Sequence, residues 1–275
     1  MGKSILITGC STGIGYVCAH ALHKHGYQVV ASCRQQKDVE RLQAEGLTCI
    51  QIDLADSQSI SRGVEQALAL TNGKLDALFN NGAYGQPGAL EDLPTDGLRE
   101  QFETNFFGWH QLVYELLPTM RKQGYGRIVQ NSSVLGFAAM KYRGAYNASK
   151  FAIEGWSDTL RLELMDSDIH ISLIEPGPIE TEFRANALLA FKRWISIEGS
   201  AHKQQYRQQL QRLSNENSNN AFVLPAESCI EPLIHALEAK KPKIRYRITT
   251  PTKVFSVLKR LLPSRILDKI LRQAA

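Results

Sequence analysis

One turn constrains this chain more than any other stretch. The run "KSILIT" (3–8) reads as a buried strand and passes through "TGCSTGIG" (8–15) directly into the helical pattern "GYVCAHALHKHG". Gly9, Gly13 and Gly15 therefore stand between a strand and a helix. In an open α/β sheet such a turn lies at the carboxyl edge. There glycines let backbone approach a ligand, and the unpaired N–H groups of the helix start favour a phosphate. Ser11 and Thr12 add hydroxyl donors, and Ile14 opens the helix beside them. The spacing is G-x-x-x-G-x-G, not G-x-G-x-x-G. A turn that merely allows close packing is the alternative. Its place at the head of the first strand–helix–strand unit favours a dinucleotide pyrophosphate.

The same alternation runs to about residue 175. Strand patterns "YQVVASC", "TCIQIDL", "LDALFNN", "GRIVQNSS" and "HISLIEP" are separated by helical patterns, among them a long one over 95–121 and another over 144–165. A short strand "KIRYR" comes later. This spacing predicts a doubly wound, mainly parallel Rossmann-type sheet of about seven strands, covered on both faces. Residues 1–250 are expected to form one catalytic domain. Within it, 182–224 breaks the rhythm with the polar run "QQYRQQLQRLSNENSNN" and the apolar patch "ALLAFKRWI". An insertion of this length reads as a helical substrate lid.

Bulk properties narrow the function class. No apolar stretch reaches the roughly 18 residues a membrane-spanning helix needs, and the start has no signal-peptide pattern. The five cysteines are scattered without a C-x-x-C pair, which fits free thiols in the cytoplasm and no zinc site. His20, His23 and His25 lie on the first helix, away from the strand ends, so no metal site is expected. The net charge of +5 hides a division: residues 239–275 hold eleven Lys or Arg against Asp268 alone. A mildly acidic domain with a basic tail is not a nucleic-acid binder, and no nucleic-acid module pattern occurs.

At the end of the second strand, where an acid would select NAD, stand Cys33 and Arg34. A guanidinium suits a 2′-phosphate, so the pattern favours NADP while NAD stays open. Asp53, ending the third strand, suits the adenine amino group or a turn cap.

The ordered motifs "TGCSTGIG", "NNGA", "TNFFG", "NSSV", "YNASK" and "EPGPIET" resemble those of the short-chain dehydrogenases/reductases, over about residues 3–185. The runs "SCRQQKDVERL" and "KFAIEGWSDTLRLEL" are most similar to the hydroxysteroid and retinol dehydrogenase-like branch and its bacterial aldehyde-reductase relatives. One departure is Asn80-Asn81-Gly82-Ala83 where the family reads N-N-A-G. The resemblance implies catalytic roles for Asn105, Ser133, Tyr146 and Lys150. It further implies cofactor contacts from Leu54 beside Asp53, from Asn80 and Gly82, from Pro176, Gly177 and Ile179, and from Thr181 at the nicotinamide carboxamide.

The chemistry explains the residue types. Carbonyl reduction needs hydride at carbon and a proton at oxygen, and the cofactor supplies the hydride. A free tyrosine has a pKa near 10. Lys150 lies four residues after Tyr146 on the same helix face, and with an oxidised nicotinamide it is a source of positive charge that favours phenolate. Lys150 also suits the ribose hydroxyls, Ser133 the substrate oxygen, and Asn105 a relay water. Tyr146 alone among the tyrosines has a lysine four places on. Tyr142 is therefore pocket wall or packing.

By resemblance the substrate meets Tyr84, Pro87, Leu135, Phe137, Tyr142 and Phe183. These are mostly apolar, which predicts a small lipophilic carbonyl or alcohol such as an aliphatic or retinoid aldehyde or a steroid. The alternative is a cofactor-binding sensor or scaffold without turnover. A homo-oligomer is implied as well. The tail at 251–275 reads as two amphipathic basic helices, suited either to peripheral contact with an anionic membrane or to packing on a subunit.

Overall fold

Strand residues Leu6, Val30 and Leu78 face one side of a sheet while their neighbours Ile5, Ile7, Ala31 and Phe79 face the other, and all are buried. That two-sided burial is why the strands read as continuous apolar runs rather than alternating ones. In the computed structural model, which describes residues 2–214 and 221–273, the strands are β1 (Ser4–Ile7), β2 (Gln28–Cys33), β3 (Thr48–Gln51), β4 (Ala77–Asn80), β5 (Gly126–Asn131), β6 (Ile169–Glu175) and β7 (Arg245–Arg247). They form one sheet in the order β3-β2-β1-β4-β5-β6-β7, and every pair is parallel. The order reverses between β1 and β4, the crevice where such sheets hold ligands.

Helices α1 (Gly13–Lys24), α2 (Gln36–Ala44) and α9 (Ile230–Glu238) supply the core of one face through residues such as Leu22, Leu42 and Leu233. The other face is covered by α3 (Ser57–Leu70), α5 (Gly108–Gln123) and α6 (Gly144–Glu163), through Val64, Leu112 and Ile153. Asp56 caps α3 by accepting from the backbone N–H groups of Gln58 and Ser59, as its position before the helix demands. Asp53, the other acid of that turn, accepts from Ala55 N at 3.0 Å.

One segment differs from the sequence expectation. The pattern over 95–121 is not one regular helix. It is α4 (Thr95–Phe102) and α5 joined by a π-helical segment, Glu103–Phe107, which carries Asn105. The wider turn rotates Asn105 inward without ending the helix, a device common at functional sites. The insertion at 182–224 is helical, as expected. It contains α7 (Phe183–Trp194) and α8 (Lys203–Ser214), while 215–220 of its polar run lie outside the described residues. Phe191 and Ile195 of this segment pack with Tyr206 and Ala89 into a small separate core. Tyr206 and Ser200 both donate to Asp92. Finally, the tail forms α10 (Thr250–Leu261) and α11 (Ser264–Gln273), with Thr252, Ser256 and Leu271 buried against the domain. Packing on its own subunit is therefore real. Val254, Val257, Leu261 and Ile266 nevertheless remain exposed.

The candidate active site

A cleft of about 800 Å³ opens at the carboxyl ends of β1, β4, β5 and β6. On one side is the glycine turn, with Gly9 at φ +69° and Gly13 at φ +61°, left-handed values that glycine adopts readily. A Cβ on Gly9 would lie 2.4 Å from the Cα of Gly82, and one on Gly15 would lie 2.3 Å from the Gly9 carbonyl oxygen. The β1 and β4 turns therefore touch backbone to backbone. This also accounts for the departure at Gly82-Ala83: the glycine of that pair stands where Gly9 presses. No side chain caps the start of α1, so its first N–H groups are left for the cleft. Ser11, Thr12, Gly13 and Ile14 border the cleft with Gly9 and Gly82. This backbone cradle fits a dinucleotide pyrophosphate.

The other cofactor expectations divide. Pro176, Gly177, Ile179 and Thr181 line the opposite wall. The Thr181 methyl faces Gly13, and its hydroxyl accepts from Phe183 N at 3.3 Å. Gly15, Cys33, Arg34, Asp53, Leu54 and Asn80 lie outside the cleft lining. Cys33 is buried, with its sulfur 3.9 Å from that of Cys49, and Arg34 is exposed. Asn80 is fully buried and donates to the Trp109 carbonyl at 3.3 Å, so it supports the floor from beneath.

Two cofactor-side residues escaped the sequence reading. Asn81 borders the cleft, donates to the carbonyls of Thr8 at 2.9 Å and Gly9 at 3.1 Å, and accepts from Asn131 Nδ2 at 2.8 Å. It ties the ends of β1, β4 and β5 together. Its signal was the second half of a paired Asn-Asn, which faces opposite to the first. Arg41 of α2 donates to the Ser11 carbonyl at 2.6 Å while pairing with Glu45 at 2.9 Å. No local pattern announced it, because the contact spans thirty residues.

Ser133, Tyr146 and Lys150 meet on the cleft wall. Ser133 follows β5 and is 7% exposed, and Tyr146 lies in the first turn of α6. Ser132 sends its hydroxyl to Glu154 instead, at 2.5 Å. Ser133 Oγ accepts from Leu135 N at 3.1 Å, which holds the turn. Lys150 is 1% exposed. Its Nζ donates to the Asn131 carbonyl at 2.7 Å and lies 4.2 Å from the Trp109 ring centroid and 5.7 Å from that of Tyr146.

Burial governs the ionisation of this pair. It pushes the Tyr146 phenol up to about 12, against a hydrogen bond with Ser133 and the charge of Arg143. It pulls the Lys150 ammonium down to about 7, against the nearby charge of Glu154. The sequence pointed to positive charge favouring phenolate. In the site without cofactor, desolvation outweighs it and the phenol is neutral. Asn105 is fully buried. Its Oδ1 accepts from Tyr84 N at 3.1 Å, and its Nδ2 donates to the Tyr84 carbonyl at 2.9 Å and to Ser149 Oγ at 3.3 Å. It thus clamps the segment after β4 against α6.

Of the residues expected to meet a substrate, Leu135 and Phe183 border the cleft. The Phe183 ring meets that of Tyr146 edge-on at 5.3 Å, above Gly85, where a Cβ would be 2.7 Å from the Phe183 ring. Tyr84, Phe137 and Tyr142 lie outside the lining. Tyr142 adopts φ +59° and turns toward the lid, stacking edge-on with His202 and Tyr206. In their place the cleft gains Met140, Phe222, Val254, Phe255 and Leu271. Three of these belong to the C-terminal helices, brought in by a chain reversal that local patterning does not encode.

Comparison with known proteins agrees with this geometry. The profile of the family described as short chain dehydrogenase matches residues 3–190. The chain is 43% identical over 272 residues to the uncharacterized oxidoreductase YbbO of Escherichia coli (strain K12), covering 99% of this chain and 95% of that protein. It is 39% identical over 196 residues to human retinol dehydrogenase 8, covering 68% of this chain and 62% of that one. A short chain dehydrogenase/reductase from Burkholderia phymatum, solved in complex with NAD, superposes with a TM-score of 0.80 at 23% identity, covering 98% and 95% of the two chains. The glycine cradle, the Ser133–Tyr146–Lys150 wall and the family match along most of the sequence together make this chain an oxidoreductase of the short-chain dehydrogenase/reductase family.

Proposed function

We propose that the protein is an NADP(H)-dependent reductase or dehydrogenase that interconverts a lipophilic aldehyde or ketone with its alcohol. The observation that carries this reading is the convergence of Ser133, Tyr146 and Lys150 beside the glycine cradle in one cleft. A bound nicotinamide dinucleotide supplies or accepts the hydride. Ser133 donates to the carbonyl oxygen and orients it, and Tyr146, neutral in its buried setting, delivers the proton to that oxygen. Lys150 holds the ribose and its positive charge favours the phenolate left behind. Asn105 acts through the backbone of Tyr84 and through Ser149, fixing α6 under the reacting groups. Leu135, Phe183, Phe222, Val254, Phe255 and Leu271 make the substrate end apolar, which suits an aliphatic, retinoid or steroid carbonyl. The free, buried cysteines fit a reducing cytosol.

Support for NADP comes from two guanidinium groups, Arg34 after β2 and Arg41 against Ser11, with no acid at Cys33. The tail serves twice in this reading. Its inner side roofs the cleft with Val254, Phe255 and Leu271, while Val257, Leu261 and Ile266 face outward among Lys253, Arg260, Arg265 and Lys269. That outer face suits an anionic membrane surface. Among the described residues no helix is long and apolar enough to cross a bilayer.

Turnover of an aldehyde and ketone panel with NADPH tests the activity. The Tyr146→Phe variant should lose at least about a hundredfold in kcat while NADPH fluorescence on binding stays within a few-fold. Retained turnover would overturn the proton assignment, and binding without turnover by the wild type would favour a sensor. For the cofactor, Arg34→Ala should weaken NADP binding by about tenfold or more, since a charge-assisted contact contributes roughly 1.5–3 kcal/mol. NAD binding should be unchanged; equal effects on both dinucleotides would remove the 2′-phosphate role. For the tail, the pair Val257→Glu and Ile266→Glu should abolish flotation with anionic vesicles without altering NADPH binding. Equal recovery of wild type and variant in the soluble fraction would sink membrane contact. A truncation is the poorer test, because it would also unroof the cleft.

A further inference from the structure

A buried carboxylate lies behind the catalytic pair and takes no part in the steps above. Glu154 is one helical turn beyond Lys150 on α6 and is 9% exposed. Its Oε1 accepts from Ser132 Oγ at 2.5 Å and its Oε2 from Arg245 Nε at 3.0 Å. With both oxygens tied to donors on different elements, the carboxylate has little freedom to rotate. Space around it is closed too. A Cβ on Gly136 would be 2.6 Å from Ser132 Oγ and 3.1 Å from Glu154 Oε1.

We infer that Glu154 is a positioning residue of the reaction, which tethers the Ser132–Ser133 turn to α6 and places a carboxylate one helical turn from Lys150. The inference rests on the reading of Ser133, Tyr146 and Lys150 as the reacting set. Its geometric half follows from chain order. Asn131, Ser132 and Ser133 are consecutive: the first accepts from Lys150, the second donates to Glu154, and the third borders the cleft. Anchoring Ser132 to α6 therefore fixes the same spacing between the end of β5 and α6 that the Lys150–Asn131 contact uses. It also holds in place the cleft-lining turn of which Ser133 is part.

The electrostatic half follows from what surrounds the carboxylate. Lys150 and Asp158 face it along α6, and Ser132 meets it from the end of β5. Arg245 reaches it from β7, Glu175 acts on it from β6, and Lys259 acts from α10. Burial raises the Glu154 carboxyl, while the Ser132 hydrogen bond and Arg245 act against that rise. Arg245 is itself shared with Asp158 at 2.8 Å and with Glu175 at 3.1 Å. Two cations, Arg245 and Lys259, thus help hold Glu154 ionised, and Glu154 in turn opposes the loss of the Lys150 proton on burial. A merely structural ion pair would affect folding and leave the charge of Lys150 alone.

Carbon-13 NMR of the full chain labelled at lysine, without cofactor, reads that charge independently of turnover. The Lys150 resonance is assigned by its loss in Lys150→Met. Glu154→Gln should lower the Lys150 titration midpoint by about one pH unit, the scale of a neighbouring opposite charge. Ser132→Ala removes only the tether. It should lower kcat about tenfold with the KM for NADPH unchanged, and it also decides the matter if Glu154→Gln fails to fold. An unmoved midpoint in Glu154→Gln, or a Ser132→Ala kcat within twofold of wild type, would overturn the proposal. Absence of any carbonyl turnover by the wild type would instead count against the proposed activity, and the NMR midpoint would still decide whether Glu154 holds the charge of Lys150.

Discussion

Lys150 carries its ammonium into the protein interior, 1% exposed, on a single 2.7 Å hydrogen bond to the Asn131 carbonyl and over the face of Trp109. Removing a charge from water costs several kcal/mol unless dipoles and rings replace the lost hydration. The replacements tie the site together. Trp109 is held by its own N–H, which donates to the Gly82 carbonyl at 2.8 Å, and Gly82 abuts Gly9. The lysine, the floor of the cleft and the glycine turn are therefore linked through consecutive contacts. A shift in any one of them would move the place where a dinucleotide and a carbonyl could meet.

The ionisation of the wall follows from the same burial. With its phenol near 12, Tyr146 is a proton carrier at neutral pH, whereas Lys150 near 7 is balanced between its two forms. Producing phenolate at pH 7 from this starting point requires roughly 7 kcal/mol of added preference for negative charge. That is more than the roughly 4 kcal/mol an exposed tyrosine with an unshifted pKa would require. The Ser133 hydrogen bond already acts in that value, so the positive charge of Lys150 and a charged ligand in the cleft are the available contributors. The Phe183 ring, edge-on to Tyr146 at 5.3 Å, adds to the desolvation of the phenol.

Much of this was legible in the chain because it is written locally. The sheet followed from apolar runs of strand length separated by helical periodicity, and the cradle from three glycines between one strand and one helix. Ser133, Tyr146 and Lys150 were legible because their intervals along β5 and α6 set their relative positions. What was not legible depends on contacts distant in sequence or on irregular backbone. The π segment that turns Asn105 inward leaves no mark on periodicity. Tyr142, with no lysine four places on, reads as pocket wall or packing, and its positive φ turns it to packing against the lid. The C-terminal helices read as an appendage, yet Leu271 closes the cleft from more than a hundred residues beyond Tyr146. Arg41 reaches Ser11 only because α2 folds back on the glycine turn.

Burial keeps Tyr146 protonated until positive charge is brought beside it, and the proposed proton transfer depends on that order. The absorbance of tyrosinate as a function of pH, taken as wild type minus Tyr146→Phe, reads the ionisation of this one phenol. Without cofactor, Tyr146 should show no ionisation through about pH 10, the range of a free tyrosine. With NADP⁺ present, the midpoint should fall by several pH units. A midpoint near neutrality in the cofactor-free protein, or one that NADP⁺ binding leaves unchanged, would show that burial does not govern this tyrosine.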